Sequence, residues 1–306
     1  MNRQNQSMPT LPRALQPGDT LAVVAPASPF DRQLFAAGIR VLESMRFELV
    51  ITEDIFDRRG YLAGPDRQRA DRLTGMFADP DIDGIICARG GYGAMRILPL
   101  LDADAIRRHP KVFVGFSDIT ALLGFLVDHC HMIAFHGPTV TTLGSADSTS
   151  RERFFAAVTQ PTPYRLSAVD KQVVRSGGAT GRFFCGNLSL LCHLTGTPFQ
   201  PDFSDGILLI EDRGEALYRI DRMLTQMMMA GYFDGLAGLA LGRFTDCDSS
   251  AAIARIVGDR LGQLDIPIMA GFEVGHGRTN LTLPVGLPAN LDTGSGSLTF
   301  TGPALG

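Results

Sequence analysis

The chain has 306 residues, with 28 Lys and Arg against 32 Asp and Glu and a formal net charge of −4. This balance argues against a broad surface for the phosphate backbone of a nucleic acid. Hydrophobic residues make up 45% and charged residues 20%, which is ordinary for a globular protein and excludes intrinsic disorder.

The first half of the chain alternates short apolar runs with helical stretches, and it ends in a polar segment. The predicted strands are Leu21–Ala25, Glu48–Ile51, Asp83–Ala88 and Val112–Gly115. The predicted helices between and after them are Arg32–Met45, Asp66–Phe77, Ala94–Leu101 and Ile119–His129. Continuous apolar strands joined by helices are typical of a parallel sheet with both faces covered.

The pattern changes after about residue 145, where Ser145–Ser150 has the polar composition of a linker. Two apolar strands, Gly206–Ile210 and Leu236–Leu241, then flank a strong helix at Tyr218–Met229, and glycines and prolines separate short strands in the tail. We therefore predict an α/β fold in three parts. Residues 1–145 form an α/β domain, residues 146–172 a linker and residues 173–306 a β-rich domain.

The sharpest local feature is Val112–Thr120 (VFVGFSDIT), where a strand runs directly into a helix with Ser117 at the turn. This is the shape of a nucleophile elbow, which presents a serine hydroxyl beside the free N–H groups of a helix start. Ser and Asp are also preferred helix N-caps, and Ile119 stands where the elbow has its second glycine. From this segment alone, a catalytic serine and a helix cap both stay open.

A glycine-rich turn, Arg89–Gly93 (RGGYG), also follows a strand and precedes a helix. Glycines let a ligand approach backbone N–H groups closely, but the Lys-Ser/Thr ending of a nucleotide-binding P-loop is missing. Because the carboxyl ends of parallel strands face one crevice, we expect this turn to lie near Ser117. The alternative is a tight turn without a ligand.

His276 stands between two glycines in a predicted loop (GHG), a position that suits a general base or a solvated loop residue. Glu211 ends the apolar strand of the segment ILLIEDRGEALY, where a carboxylate can orient an imidazole. Asp212 and Glu215 compete for that role. Each of the three acids is equally compatible with a plain charge at a strand end or helix start.

The cysteines and the remaining histidines point to no metal site. The five cysteines are scattered without a CxxC pair, as expected for reduced thiols in a cytoplasmic protein. His129 and His131 flank Cys130, but alternate residues of one short segment rarely close a metal site. The polar N-terminal segment resembles no signal peptide, and no apolar run is long enough to span a membrane.

Taken in order, the segments GGYG, GFSDITALL, GNL, LLIEDRGEALYRIDRML and GHG resemble the LD-carboxypeptidase family of serine peptidases. That family includes muramoyltetrapeptide carboxypeptidases and microcin C self-immunity peptidases. The resemblance extends from about Leu11 to Phe300. Two positions depart from the family pattern, since Ala216 stands where Pro is frequent and Cys185 where Gly is frequent before GNL.

The resemblance implies a catalytic triad drawn from both halves of the chain. Ser117 in GFSD matches the nucleophile, His276 in GHG the general base, and Glu211 the acid that orients the histidine. The backbone N–H groups of Gly91 and Asp118 are implied as the oxyanion hole. The implied fold is an N-terminal domain like class I glutamine amidotransferases with a β-rich C-terminal domain, the site lying at their interface within a homodimer.

The implied reaction removes the terminal D-Ala from a cytosolic murein tetrapeptide during peptidoglycan recycling, with no cofactor and no metal. Arg89, Tyr92 and Arg243 are the candidate substrate-binding residues, the arginines because a guanidinium pairs well with a carboxylate. A structural ion pair is an equal alternative for each arginine. The expected partner is the murein peptide, with neither a nucleic acid nor a membrane involved.

Two other functions stay open. One is an immunity-type peptidase that cleaves aminoacyl-nucleotide conjugates, which ranks second because the chain has no Trp to stack on a nucleobase. The other is a non-catalytic protein that binds a small ligand through the RGGYG turn.

Overall fold

The computed structural model describes residues 9–306, which fold into two β-sheets with helices packed against them. The helices of this part of the chain are α1 (Arg32–Ser44), α2 (Asp66–Ala78), α3 (Ala94–Ile97), α4 (Ala103–Arg108), α5 (Thr120–Asp128), α6 (Val140–Leu143), α7 (Ser148–Thr159), α8 (Leu188–Leu194), α9 (Leu217–Met229) and α10 (Ser250–Leu261). Single 3₁₀ turns occur at Glu53–Phe56, Leu98–Leu100 and Ser117–Ile119.

The strands of the same part of the chain divide between the two sheets. They are β1 (Thr20–Val24), β2 (Glu48–Val50), β3 (Gly84–Cys87), β4 (Val112–Gly115), β5 (Ala134–His136), β6 (Arg165–Ser167), β7 (Gln172–Arg175), β8 (Gly178–Asn187), β9 (Gly206–Arg213), β10 (Gly238–Thr245), β11 (Ile268–Gly275), β12 (Leu283–Val285), β13 (Pro288–Asp292) and β14 (Ser297–Phe300).

The first sheet has the strand order β12-β5-β4-β3-β1-β2. Its five N-terminal strands are parallel, which confirms the prediction from the apolar runs, and β1, β3 and β4 are almost entirely buried. The sixth strand differs from the prediction. It is β12, which comes from near the C-terminus and pairs antiparallel with β5, so that Leu283 lies opposite His136.

The second sheet has eight strands in the order β6-β14-β13-β8-β9-β10-β11-β7. Its centre, from β8 to β11, is parallel, and the outer strands pair antiparallel. The prediction of a strand-rich second half is therefore correct, although α8, α9 and α10 also belong to this half. The likeness to class I glutamine amidotransferases stays a prediction.

A helix begins within the polar stretch Ser145–Ser150, where the sequence indicates a linker. Asp147 accepts a hydrogen bond from the backbone N–H of Ser150 at 2.8 Å, and this cap starts α7 at Ser148. Polar N-cap residues and polar linkers have the same composition, which explains the difference. The division into domains at residues 1–145, 146–172 and 173–306 stays a prediction.

The predicted helix Ala94–Leu101 is also shorter than expected. Its α-helical part ends at Ile97, and a 3₁₀ turn with Pro99 follows. Proline has no N–H to donate and its ring clashes with the preceding turn, so a regular helix does not continue through it.

Contacts between α5 and β8 bring the two sheets together near Ser117. The backbone N–H of Asn187, at the end of β8, donates to Thr120 Oγ1 at 3.0 Å. A side chain at Gly186 would overlap the Thr120 methyl group, so glycine permits this approach. Arg182 of β8 also forms an ion pair with Asp128, the last residue of α5, at an N–O distance of 2.6 Å. These contacts fix α5, the helix that follows Ser117, against β8.

In the described chain, residues 9–306, no helix combines the length and the apolar character that a membrane crossing requires.

The packing of α1 on α6 gives a direct test of this fold. A methyl group at Gly38 would overlap the Val140 carbonyl oxygen, whereas one at Gly75 in α2 would meet nothing within 4 Å. We expect Gly38→Ala to lower the free energy of unfolding by about 1–3 kcal/mol through overpacking. Gly75→Ala, the matched control, should raise it by about 0.5–1 kcal/mol, because alanine is the better helix former. Urea unfolding of both variants measures the difference, and equal effects would contradict the α1–α6 contact.

Candidate active site

Ser117 occupies a strained turn at the carboxyl end of β4. Its φ is 64°, in the left-handed region that a non-glycine residue rarely adopts. Such a conformation costs about 1–3 kcal/mol and persists only where the surrounding structure holds it. Within residues 9–306 the Ser117 hydroxyl has no hydrogen-bond partner, so it is neither a side-chain cap for the following 3₁₀ turn nor a bonded core group.

The RGGYG turn lies against Ser117, as the sequence predicts. A methyl group at Gly90 would come within 2.9 Å of Ser117 Cβ and 3.2 Å of the Asp118 backbone nitrogen. The Asp118 carboxylate, itself buried, accepts a hydrogen bond from the Ala94 N–H at 2.8 Å. This bond ties the serine turn to the start of α3, immediately after the glycine-rich turn.

The backbone N–H groups of Gly91 and Asp118, the pair that the resemblance implies as an oxyanion hole, have no acceptor among the described residues. Gly91 has φ 102° and packs against Ser28, whose hydroxyl accepts the N–H of Tyr92 at 2.9 Å. Free N–H groups in a rigid turn can stabilise a developing negative charge.

Glu211 and His276 form the closest polar contact of the site. His276 Nδ1 lies 2.6 Å from Glu211 Oε2, and the Glu211 side chain is fully buried. The other imidazole nitrogen has no partner in the described chain. The His276 ring packs on Phe116, with ring centroids 4.8 Å apart, which places the imidazole directly beside the Ser117 turn. No hydrogen bond joins His276 to the Ser117 hydroxyl here, and such bonds often tighten only around a substrate.

The approach of Glu211 to His276 depends on Gly275. This residue has φ 116°, and a methyl group there would come within 2.5 Å of Glu211 Oε2. Asn280 holds the same loop by accepting the Gly275 N–H at 2.9 Å. Only glycine fits a left-handed position that also touches a carboxylate. This explains why Gly275, the first glycine of GHG, precedes His276.

The pKa of His276 lies above its usual range. Burial lowers the pKa, but the hydrogen bond and negative charge of Glu211, with a smaller contribution from Asp212, outweigh that effect. The imidazole is therefore both oriented and made more basic by its carboxylate. This combination is what a general base needs.

The other predicted acids lie elsewhere. The Asp212 carboxylate accepts the N–H and hydroxyl of Ser189 at 2.9 and 2.7 Å. Glu215 lies 3.7 Å from Arg219 on α9, the helix that follows. Of the three acids that the sequence leaves open, Glu211 is the one hydrogen-bonded to His276. The catalytic roles of these residues stay predictions.

The three candidate substrate-binding residues differ in how they are engaged. Arg89 donates to the Pro29 carbonyl at 2.8 Å and forms no ion pair within the described residues, whereas Arg243 is paired with both Glu273 and Asp170. The Tyr92 ring is half exposed beside the RGGYG turn. Arg243 thus has the structural ion pairs that the sequence leaves open as its alternative role.

His136 is a buried residue of the site region that the sequence analysis does not single out. Its side chain is fully buried at the end of β5, and neither ring nitrogen has a hydrogen-bond partner in residues 9–306. Its ring meets the edge of Phe116, at a centroid distance of 5.8 Å. Burial, with a smaller effect of His276, lowers the pKa of His136 to about 3. No local sequence signal marks this residue, because its burial comes from strands far apart in the chain.

Comparison with known protein families gives a match in each half of the chain. Residues 21–137 match the LD-carboxypeptidase N-terminal domain, and residues 180–291 match the LD-carboxypeptidase C-terminal domain. A candidate carboxypeptidase of Synechocystis sp. is 41% identical, covering 94% of this chain and 96% of the relative. The murein tetrapeptide carboxypeptidase of Pseudomonas aeruginosa is 34% identical, covering 94% and 97%.

Solved structures agree with these sequence matches. The muramoyltetrapeptide carboxypeptidase of Oxalobacter formigenes superposes with a TM-score of 0.81 at 30% identity, covering 92% of this chain and 97% of that one. The Escherichia coli microcin C7 self-immunity protein MccF, solved with glutamyl sulfamoyl guanosine, gives a TM-score of 0.89 at 24% identity, covering 97% and 100%. This second likeness concerns the fold alone.

The contact between Glu211 and His276 predicts a specific change in histidine titration. In Glu211→Gln the negative charge is lost while the shape is kept, so the pKa of His276 should fall from its raised value. Histidine side-chain NMR titration measures this shift, with the His276 signal identified by its absence in His276→Gln. Glu215→Gln is the matched control and should leave the signal in place. An unchanged His276 pKa in Glu211→Gln would contradict the contact.

The burial of His136 predicts a loss of stability in acid. An unfolded histidine binds a proton below pH 6.5, whereas the folded His136 stays neutral down to about pH 3. The contribution of His136 to stability is therefore complete above pH 6.5, and it falls by about 1.4 kcal/mol per pH unit as the pH decreases towards 3. In His136→Phe, this contribution should disappear and the slope of unfolding free energy against pH should become shallower in that window. Above pH 6.5 the two slopes should agree, and identical slopes throughout would refute the prediction.

Proposed function

The chain belongs to the LD-carboxypeptidase family, and from this membership we propose that it is a serine carboxypeptidase that releases the terminal D-Ala of a murein tetrapeptide. The observation that carries the proposal is the 2.6 Å contact between Glu211 and His276 beside the strained turn of Ser117. A nucleophile, a base and an orienting acid near one another are the parts of a hydrolytic triad.

In the proposed reaction, Ser117 Oγ attacks the carbonyl carbon of the residue before the terminal D-Ala. His276 takes the hydroxyl proton on its free ring nitrogen, and Glu211 stabilises the imidazolium that results. The amide bond then breaks, and the same proton passes from His276 to the leaving amine of D-Ala. The acyl group stays on Ser117 as an ester until water hydrolyses it with His276 as base.

The tetrahedral intermediate carries a negative oxygen that needs hydrogen-bond donors. We assign this role to the N–H groups of Gly91 and Asp118, which have no acceptor in the described chain. Loss of one such donor typically slows a reaction by about 10²–10³-fold. Both donors are backbone groups in turns that hydrogen bonds hold in place, so they require no rearrangement when the charge develops.

A carboxypeptidase also has to recognise the free carboxylate at the end of its substrate. Arg89 is the better of the two arginine candidates, because it forms no ion pair within residues 9–306 and lies next to Gly90 at the Ser117 turn. Arg243 already pairs with Glu273 and Asp170, so a substrate carboxylate would have to displace them. Tyr92, half exposed on the same turn as Arg89, is the proposed apolar contact for the peptide.

The substrate class comes from the relatives. The name of the Pseudomonas aeruginosa relative specifies a murein tetrapeptide, and we extend that specificity to this chain. In this proposal the enzyme acts on cytosolic murein peptides during peptidoglycan recycling and uses no cofactor. The homodimer implied by the sequence resemblance stays a prediction.

D-Ala release from L-Ala–D-Glu–meso-diaminopimelate–D-Ala tests the proposal. The native protein should release D-Ala, and Ser117→Ala should do so at least on the order of 10⁴-fold more slowly, because the nucleophile is lost. Ser44→Ala, which removes an exposed hydroxyl from α1, is the matched control and should keep full activity. A fluorophosphonate should label the native protein at Ser117.

The other outcomes separate the alternatives. Equal release by the native protein and Ser117→Ala would show that Ser117 is not the nucleophile. No release by the native protein would refute the murein substrate, and aminoacyl-nucleotide conjugates would then be assayed with the same pair of proteins. Ligand binding without turnover of either substrate would favour a non-catalytic binding protein.

A further inference from the structure

Asn187 connects the Glu211–His276 pair to the rest of the fold. It ends β8, is almost fully buried, and its amide nitrogen lies 3.4 Å from Glu211 Oε1 and 2.9 Å from Asp212 Oδ1. Glu211 thus makes two contacts, with His276 through one oxygen and with Asn187 through the other. Asn187 and His276 thus lie on opposite sides of the same carboxylate.

The orientation of the Asn187 amide is determined by its surroundings. Its oxygen accepts the Leu190 N–H at 3.2 Å and caps α8, so its nitrogen must face the two carboxylates. An amide nitrogen carries two hydrogens and can donate one to each acid. Asp212 receives three further hydrogen bonds, two from Ser189 and one from the Arg213 N–H, so it does not depend on Asn187 alone.

Glu211 has fewer partners than Asp212. In residues 9–306, only His276 and Asn187 form hydrogen bonds with its carboxylate. A fully buried carboxylate stays ionised only if it is paired and hydrogen-bonded. Asn187 also contacts the helix that follows Ser117, because its backbone N–H donates to Thr120 Oγ1 at 3.0 Å. One residue therefore touches both the acid of the proposed triad and the helix that follows the serine.

We propose that Asn187 is a positioning residue, which holds the Glu211 carboxylate in place and shares its negative charge so that His276 keeps the basicity a general base requires. The inference rests on the proposed function, because it gives Asn187 a role through Glu211 and His276 and no contact with the substrate. When this donor is lost, Glu211 keeps its charge because His276 still contacts its other oxygen. That charge then acts on His276 alone, and the imidazolium becomes more stable.

Several ionisable groups lie near His276. Glu211, Asp212 and Arg213 on β9 act on its pKa, and His136 on β5 interacts with it. Arg243 on β10 lies beside Gly277 and is paired with Glu273 on β11. All of them are kept in the test below, so a change in the pKa of His276 reports on the substitution at Asn187, and Asn187→Leu shows the effect of the lost donor without an added charge.

Two substitutions separate positioning from helix capping. Asn187→Leu removes both the donor and the cap. Asn187→Asp keeps a carboxylate oxygen as an N-cap for α8 but replaces the donor with a negative group. If Asn187 positions Glu211, both variants should raise the pKa of His276 by roughly one unit in NMR titration. Both should also lower kcat about tenfold to a hundredfold, as expected for a lost hydrogen bond to a charged group, with little change in KM.

The acid limb of the pH–rate profile should move upwards with the His276 pKa, since the neutral imidazole is the active form. Asn290→Asp, the same change at an exposed position of β13, is the matched control and should leave both readouts at their native values. A native titration in Asn187→Leu, which removes the donor and adds no charge, would mean that Asn187 is only a helix cap, and the inference would be wrong. The same conclusion follows if kcat falls in both variants while the His276 pKa stays at its native value.

The titration also separates this inference from the proposed function. If the native protein releases no D-Ala, the proposed function fails, and with it the catalytic reason for a positioning residue. The NMR result would then still show whether Asn187 controls the Glu211–His276 pair, because it needs no substrate. Turnover by the native protein together with an unmoved His276 signal in both variants would overturn the inference and leave the proposed function intact.

Discussion

The fully buried carboxylate of Glu211 is the constraint on which the arrangement of the site depends. A carboxylate without water is stable only if its oxygens are satisfied by nearby donors. His276 supplies one and Asn187 the other, and each belongs to a different strand end of the second sheet. Gly275 leaves the space in which the acid and the imidazole meet. Removal of His276 or Asn187 leaves one oxygen of the buried carboxylate without its donor, and an unsatisfied buried group costs more than the contact itself contributes.

The strands and the reactive turns of the first half were predictable because their signals are local. The strand Val112–Gly115 is found with the predicted bounds, since an apolar run ending in glycine has few alternatives. The sequence also places Ser117 and the RGGYG turn at the same edge of a parallel sheet, and the structure brings Gly90 against Ser117. Left-handed backbone at Ser117 agrees with a nucleophile elbow, although the motif lacks its second glycine.

The remaining parts of the site depend on contacts between distant segments, which a single sequence does not reveal. Asn187 is recognisable as part of a GNL segment, but its role follows from the close approach of Gly186 to Thr120 and from the acids on β9. His136 has no local signal at all. Composition likewise could not separate a linker from a capped helix at Asp147, because the same polar residues serve both purposes.

The antiparallel pairing of β12 with β5 affects how the chain can be synthesised and divided. Leu283–Val285 completes a sheet whose other strands all lie before residue 137, so that sheet has an open edge until nearly the whole chain has been made. An open edge strand is prone to pair with other chains. Since the His276 loop runs directly from β11 in one sheet to β12 in the other, the two sheets cannot separate far while both pairings are intact. A fragment ending near residue 145 would lack the strand that covers β5, and it is therefore a poor choice for expression on its own.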